Sequence, residues 1–70
     1  MPHETVHIVP GHNEEEKQRL AQRLHQTVQQ ELKMDGDLIS VAIREVDAEN
    51  WPAFIRTVPD FYVRPKYLDK

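Results

Sequence analysis

Pro2 has the clearest chemical potential of any residue in this 70-residue sequence. Removal of Met1, which is favoured before a small residue such as proline, leaves a secondary amine, and α-amino groups titrate near a pKa of about 8. Burial in an apolar pocket, or a neighbouring cation, lowers the pKa of such an amine toward about 7. The neutral amine could then act as a general base or attack a carbonyl. Taken alone, Pro2 could equally be an ordinary proline after methionine.

The other residues that commonly carry chemistry form no familiar motif. The sequence has no cysteine, which excludes disulfides and thiolate ligands, and it has no phosphate-binding glycine loop or Ser-His-Asp signature. His3 and His7 share a strand face but lie about 13 Å apart along it, too far to hold one ion. We therefore expect no metal site. His25 is predicted to lie on a solvated helix face, whereas His12 occupies a strand-to-helix corner, where loops tend to carry function.

Composition and charge indicate which kinds of partner the protein has and in which cell compartment it lies. The formal net charge of −3 comes with no basic cluster, so neither nucleic acid nor a membrane surface is an expected partner. No apolar stretch approaches the roughly 20 residues of a membrane span, and the start of the chain does not resemble a signal peptide. We expect a cytoplasmic protein.

Hydrophobic periodicity predicts the elements that must position these residues. Alternation indicates a strand over 3–9, and a stripe of leucine and valine every four residues indicates a helix over 14–33, opened by an Asn13–Glu16 capping box. Gly36, free to adopt positive φ, supplies a turn. A second strand over 38–46, a short helix over 51–57 and an apolar tail over 60–70 complete a single domain.

The order strand, helix, strand predicts an α/β (α+β) fold with two parallel strands joined by a helical crossover. A two-stranded sheet leaves both of its edges exposed, and a core in 70 residues rarely suffices alone. We therefore expect a homodimer whose sheet is completed by pairing of two copies, with the tail packed on the partner. A higher oligomer remains an alternative.

Three segments carry a resemblance to a known family: Met1-Pro2-His3, the stretch 39–43 leading to Glu49-Asn50-Trp51, and Arg64-Pro65-Lys66-Tyr67. Together with the predicted βαβ pattern, they resemble the 4-oxalocrotonate tautomerase family over about residues 2–55. The likeness is greatest to the small dimeric branch that tautomerises phenylpyruvate-like compounds. Members of this family move a proton between positions of an enol with an amino-terminal proline.

The resemblance implies roles for individual residues. Pro2 maps onto the catalytic base, and Trp51 onto an aromatic that walls the pocket, although Trp51 could instead be an ordinary core or interface aromatic. His12 and Ala42 stand where the best-known members carry carboxylate-binding arginines. Arg44, on the same strand face as Ala42, could supply a replacement cation or could pair with Glu45 or Asp47. His12 could donate a hydrogen bond to the enolate or have no role.

The sequence thus predicts an isomerase that interconverts the enol and keto forms of a small 2-keto acid, with no metal or organic cofactor. Two alternatives remain open. One is a non-catalytic dimeric βαβ interaction module, favoured by the loss of both arginines, and the other is a family variant that hydrates or decarboxylates its substrate with the same proline.

Overall fold

A computed structural model describes residues 1–69 of the chain. Two strands, β1 (His3–Ile8) and β2 (Ser40–Glu45), flank a long helix, α1 (Glu14–Leu32), and a short helix, α2 (Trp51–Ile55), follows. Short 3₁₀ turns span Gly36–Leu38, Ala48–Asn50 and Lys66–Asp69. The helix and both strands lie within a few residues of the predicted bounds.

The two strands pair in parallel, with His3 opposite Ser40 and Ile8 opposite Glu45. Because α1 connects them, the predicted parallel βαβ unit is confirmed. We call the end of the sheet at Pro2 and Ser40 the proline end, and the end at Ile8 and Glu45 the distal end. They are about 20 Å apart, the length of a six-residue strand.

The sheet has two chemically different faces, because successive side chains of a strand point to opposite sides. The helix face lies beneath α1, where Val41 and Ile43 border a groove shared with Ala21, and where Lys17 of α1 contacts Glu45 at 3.5 Å. The opposite face, which we call the open face, is polar. Its six side chains, read from the register, are those of His3, Thr5, His7, Ser40, Ala42 and Arg44.

Both ends of α1 are capped by local sequence. The Asn13 side chain accepts a hydrogen bond from the Glu16 N–H at 2.8 Å, and the Glu16 carboxylate accepts one from the Asn13 N–H at 3.1 Å. This is the capping box that the sequence predicted. Lys33 ends the helix with φ 52°, and its N–H donates to the Gln29 carbonyl.

His25 corrects one prediction from the sequence. Its Nε2 donates to the Gly36 carbonyl at 2.8 Å in a half-buried contact, so His25 is not a solvated face residue. Gly36 does not adopt positive φ either. Glycine is needed there because a Cβ would lie 2.9 Å from the His25 Cε1. The 3₁₀ turn closes with the Ile39 N–H donating to the Gly36 carbonyl. As a result, β2 begins at Ser40, two residues later than predicted.

The C-terminal part begins with α2, two residues shorter than predicted, and continues into an extended tail. Pro52 sits in the first turn of α2, where its missing N–H costs no hydrogen bond. Tyr62 and Val63 project fully into solvent, 101% and 88% exposed. Lys70, the last residue of the predicted tail, lies outside the described residues.

The chain forms a thin slab of 39 × 28 × 17 Å with little interior. Among the described residues, only Ile39 and Ile55 qualify as buried hydrophobic side chains. The helix α1 packs mainly on β2, so the β1 side of the helix face is less covered. Within residues 1–69, no helix is long and apolar enough to cross a membrane.

Candidate active site

Pro2 stands at the proline end, where the strand ladder fixes its backbone. The Ser40 N–H donates to the Pro2 carbonyl at 3.2 Å, and the next residue toward the turn, Ile39, is only 8% exposed. The Pro2 ring is itself half-buried. Met1, by contrast, is 96% exposed, so its removal would cost no packing. By alternation, Pro2 shares the helix-face parity of Glu4.

A hydroxyl–imidazole cluster lies beside Pro2 on the open face. The two ring nitrogens of His3 lie 2.6 Å from the Ser40 hydroxyl and 3.0 Å from the Thr5 hydroxyl. These contacts fix the plane of the imidazole. Within the described part of the chain, no three His, Asp or Glu side chains converge as metal ligands would.

Arg44 lies near the distal end on the open face, in register with His7. Its neighbour Glu45 contacts Lys17 instead, and in residues 1–69 no hydrogen bond or ion pair engages the Arg44 guanidinium. The alternative in which Glu45 or Asp47 neutralises this arginine is therefore not observed within that range. The guanidinium remains exposed and able to bind an anion.

Trp51 opens α2 and forms part of an aromatic row at the distal end. Its indole N–H donates to the Tyr67 hydroxyl at 3.0 Å, and its ring lies 5.4 Å from that of Phe54. The Phe54 ring in turn lies 4.5 Å from the His7 imidazole, which places this row on the open face. The hydrogen bond ties the tail to α2. Tyr67 was among the residues that carried the family resemblance, but its contact with Trp51 was not foreseen.

His12 lines a different feature, a groove of about 330 Å³ between α1 and the end of β1. We call it the β1 groove; its lining residues are Ile8, His12, Glu16, Lys17, Arg19, Leu20 and Arg23. The His12 Nδ1 lies 3.7 Å from the Glu16 carboxylate. Helical arginines normally lie on a solvated face, so the sequence gives no sign that Arg19 and Arg23 line a groove.

Two charged groups at the start of α1 have shifted pKa values. The hydrogen bond from the Asn13 N–H, and a smaller contribution from His12, lower the pKa of the Glu16 carboxyl. The hydrogen bond to Glu14, 2.8 Å away, raises the pKa of the Lys17 ammonium, with Glu45 adding to it. Both shifts favour the charged forms of Glu16 and Lys17.

The structure does not bring the four predicted site residues together within one chain. Arg44 and Trp51 lie toward the distal end on the open-face side, and His12 lies at the same end beside the helix face. Pro2 is at the opposite end, about 20 Å away. A site containing all four would need a second copy of the chain.

Comparison with known proteins found a matching family model and a similar protein. A family model described as "Tautomerase enzyme" matches residues 2–53. A protein of Xylella fastidiosa (strain 9a5c) named "Probable tautomerase" is 39% identical over 51 residues, which cover 73% of this chain and 62% of that protein. The match thus spans less than two thirds of the relative's length.

Proposed function

This chain belongs to the tautomerase enzyme family, and we propose that it interconverts the enol and keto forms of a small 2-keto acid with Pro2 as general base. The observation that carries the proposal is the setting of Pro2. Its ring is half-buried beside the buried Ile39, and its backbone is fixed by Ser40. Partial desolvation favours the neutral amine that a base requires.

The reaction needs one group that moves a proton. The neutral Pro2 amine takes the proton from the enol hydroxyl and returns a proton to carbon three, so the enol becomes the 2-keto acid and the amine is regenerated. A cation near the substrate stabilises the charge that develops on the enolate oxygen. The proposal requires that Met1 is removed, because an amide nitrogen at Pro2 could not accept a proton.

We propose that the working unit is a homodimer. The accessible surface is 5926 Å², whereas a compact monomer of this mass would expose about 4,600 Å². The β1 edge is the favoured interface because α1 packs mainly on β2 and leaves β1 less covered. A two-fold axis beside β1 would extend the sheet to four strands and remove the exposed β1 edge.

Such pairing would bring the proline end of one protomer to the distal end of the other. In the proposed site, Pro2 comes from one chain, and Arg44, Trp51 and His12 come from its partner. Arg44 would stabilise the charge that develops on the enolate, Trp51 would exclude water from the amine, and His12 would donate to the enolate oxygen. The absence of a partner for the Arg44 guanidinium within residues 1–69 supports its role.

The experiment is ultraviolet-monitored ketonisation of phenylenolpyruvate by protein whose intact mass shows that Met1 is absent. Pro2→Ala should lower kcat/KM by at least about 100-fold, the share that general base catalysis commonly contributes. Pro10→Ala is the matched control, because Pro10 is exposed in a loop, and it should retain activity. Synthetic protein that keeps Met1 should be as inactive as Pro2→Ala.

Rates equal to that of buffer in every sample would contradict the proposed activity on this substrate class. In that event, the non-catalytic interaction module would be the better description. Sedimentation equilibrium tests the dimer separately: the expected mass is twice the monomer's 8.3 kDa, and the monomer mass at micromolar concentration would contradict it.

A further inference from the structure

The β1 groove has the dimensions and chemistry of a small-anion site. Its volume of about 330 Å³ is at the lower end of the range for small-molecule pockets, about 300–1,000 Å³. Ile8 and Leu20 supply apolar surface, and four basic side chains supply donors: His12, Lys17, Arg19 and Arg23. A small molecule with one apolar part and one anionic part would match this lining.

Three of the four basic side chains already have acidic partners. Lys17 contacts Glu14 at 2.8 Å and Glu45 at 3.5 Å. Arg19 bonds to Glu15 at 2.9 Å, and His12 lies 3.7 Å from Glu16. Glu16, the one acidic side chain of the lining, is also committed to the helix cap through Asn13.

Arg23 differs from these three. Within the described residues, no hydrogen bond or ion pair engages its guanidinium, although the Arg23 carbonyl accepts a bond from the Thr27 hydroxyl. A guanidinium presents a planar fork of donors that matches the two oxygens of a carboxylate. The groove therefore combines an uncommitted bidentate donor with the apolar side chains of Ile8 and Leu20.

We propose that Arg23 binds the carboxylate of the small 2-keto acid, with the apolar part of the substrate against Ile8 and Leu20. This inference rests on the proposed function and adds to it a carboxylate-binding residue outside the sheet. Arg23 is one helical turn beyond Arg19 on the same face of α1. His12 and Ala42 stand where the best-known members of the family carry carboxylate-binding arginines. Arg23 supplies a guanidinium that neither of them has.

The proposed dimer would bring the groove to the catalytic amine. Pro2 and Ile8 share the helix-face parity of β1, and antiparallel pairing of two β1 edges sets the Pro2 of one protomer toward the Ile8 of the other. The groove is lined by Ile8, so it lies on that same side of the sheet.

The test measures binding of 3-phenylpropanoate, an unreactive carboxylate of substrate size, by amide chemical shifts in NMR titration. The neutral 3-phenylpropanamide is the matched ligand control. Arg23→Gln should weaken binding of the carboxylate by about tenfold or more, the effect of losing a charged hydrogen bond, and Arg23→Lys by less. Arg56→Gln is the control variant, because within residues 1–69 the Arg56 guanidinium donates only to the Pro52 carbonyl; it should bind as the parent does.

Kinetics separate this inference from the proposed function. Arg23→Gln should raise KM for phenylenolpyruvate with kcat nearly unchanged, whereas Pro2→Ala should abolish turnover. Equal carboxylate binding by Arg23→Gln and the parent, or equal affinity of the parent for acid and amide, would overturn the role of Arg23 while leaving the proline base intact. Loss of carboxylate binding in Arg23→Gln without turnover in any sample would uphold the binding site and reject the activity.

Discussion

The two ends of the sheet differ in what they supply. The proline end carries Pro2, the proposed base, beside the buried Ile39 and a turn held by the hydrogen bond from His25 to Gly36. The distal end carries the groups proposed to bind the substrate: Arg44, the aromatic row that includes Trp51, and the β1 groove. The base and the groups that would hold a substrate are separated by about 20 Å. Under the proposed function, each chain carries two half-sites and no complete one.

The largest expected effect comes from mixing two variants, one substituted at the proline end of the sheet and one at the distal end. Pro2→Ala and Trp51→Ala should each have low activity as homodimers. After the two are refolded together, heterodimers hold one intact site, which combines the Pro2 of one chain with the Trp51 of the other. Activity should recover to about a quarter of the parent's, because half of the random dimers are mixed and each has one good site.

Mixing without refolding provides the control, because subunits that have not exchanged should give only the average of the two variants. The same average after refolding would show that the proline and the tryptophan act within one chain. That result would contradict the proposal that the two ends of the sheet are halves of a site shared between two chains.

A smaller effect is expected from Gly36→Ala at the proline end. The new Cβ would lie 2.9 Å from the His25 Cε1, so the ring must move and its hydrogen bond to the Gly36 carbonyl is lost. We expect a loss of about 1 kcal/mol in the free energy of unfolding, the usual net value of such a bond. Urea denaturation measures it, and the loss should largely disappear in a His25→Ala background. An undiminished loss there would show that His25 is not the cause.

The smallest effect is expected at the distal end, from Glu16→Gln. Because the folded chain lowers the pKa of Glu16, this carboxylate contributes stability above its ordinary pKa of 4.5, and the contribution is lost as the pH falls through the folded-state value. The variant should therefore be slightly less stable than the parent at neutral pH and equal to it at pH of about 2. Glutamine keeps a capping acceptor. Thermal unfolding at both pH values measures the difference, and a gap that persists in acid would contradict the electrostatic cause.

Local sequence signals predicted most of the fold. The pair Asn13 and Glu16 marked the start of α1 because a capping box involves only residues three apart, and alternation marked both strands. What failed depended on contacts between distant residues. His25 looked solvated among its polar neighbours, and only the approach of the Gly36 turn reveals its hydrogen bond. The same close approach, and not positive φ, explains the glycine.

The candidate site was less predictable than the fold. Pro2 stood out because its chemistry depends on its position in the chain, and Trp51 and Arg44 were suggested by resemblance and strand parity. The sequence did not show that these residues lie at opposite ends of the sheet, because that follows from the direction of both strands. It also did not show that Arg19 and Arg23 line a groove, because the groove forms only where α1 meets the end of β1.

The thinness of the 17 Å slab has a consequence for the stability of the protein in the cell. When a chain buries so little alone, the folded state and the proposed dimer share one equilibrium, and each tenfold dilution lowers the free energy of unfolding by about 1.4 kcal/mol of dimer. The unfolding midpoint should then rise with protein concentration. Expression level would set the folded fraction, and chains made in small numbers would be the first lost to proteolysis.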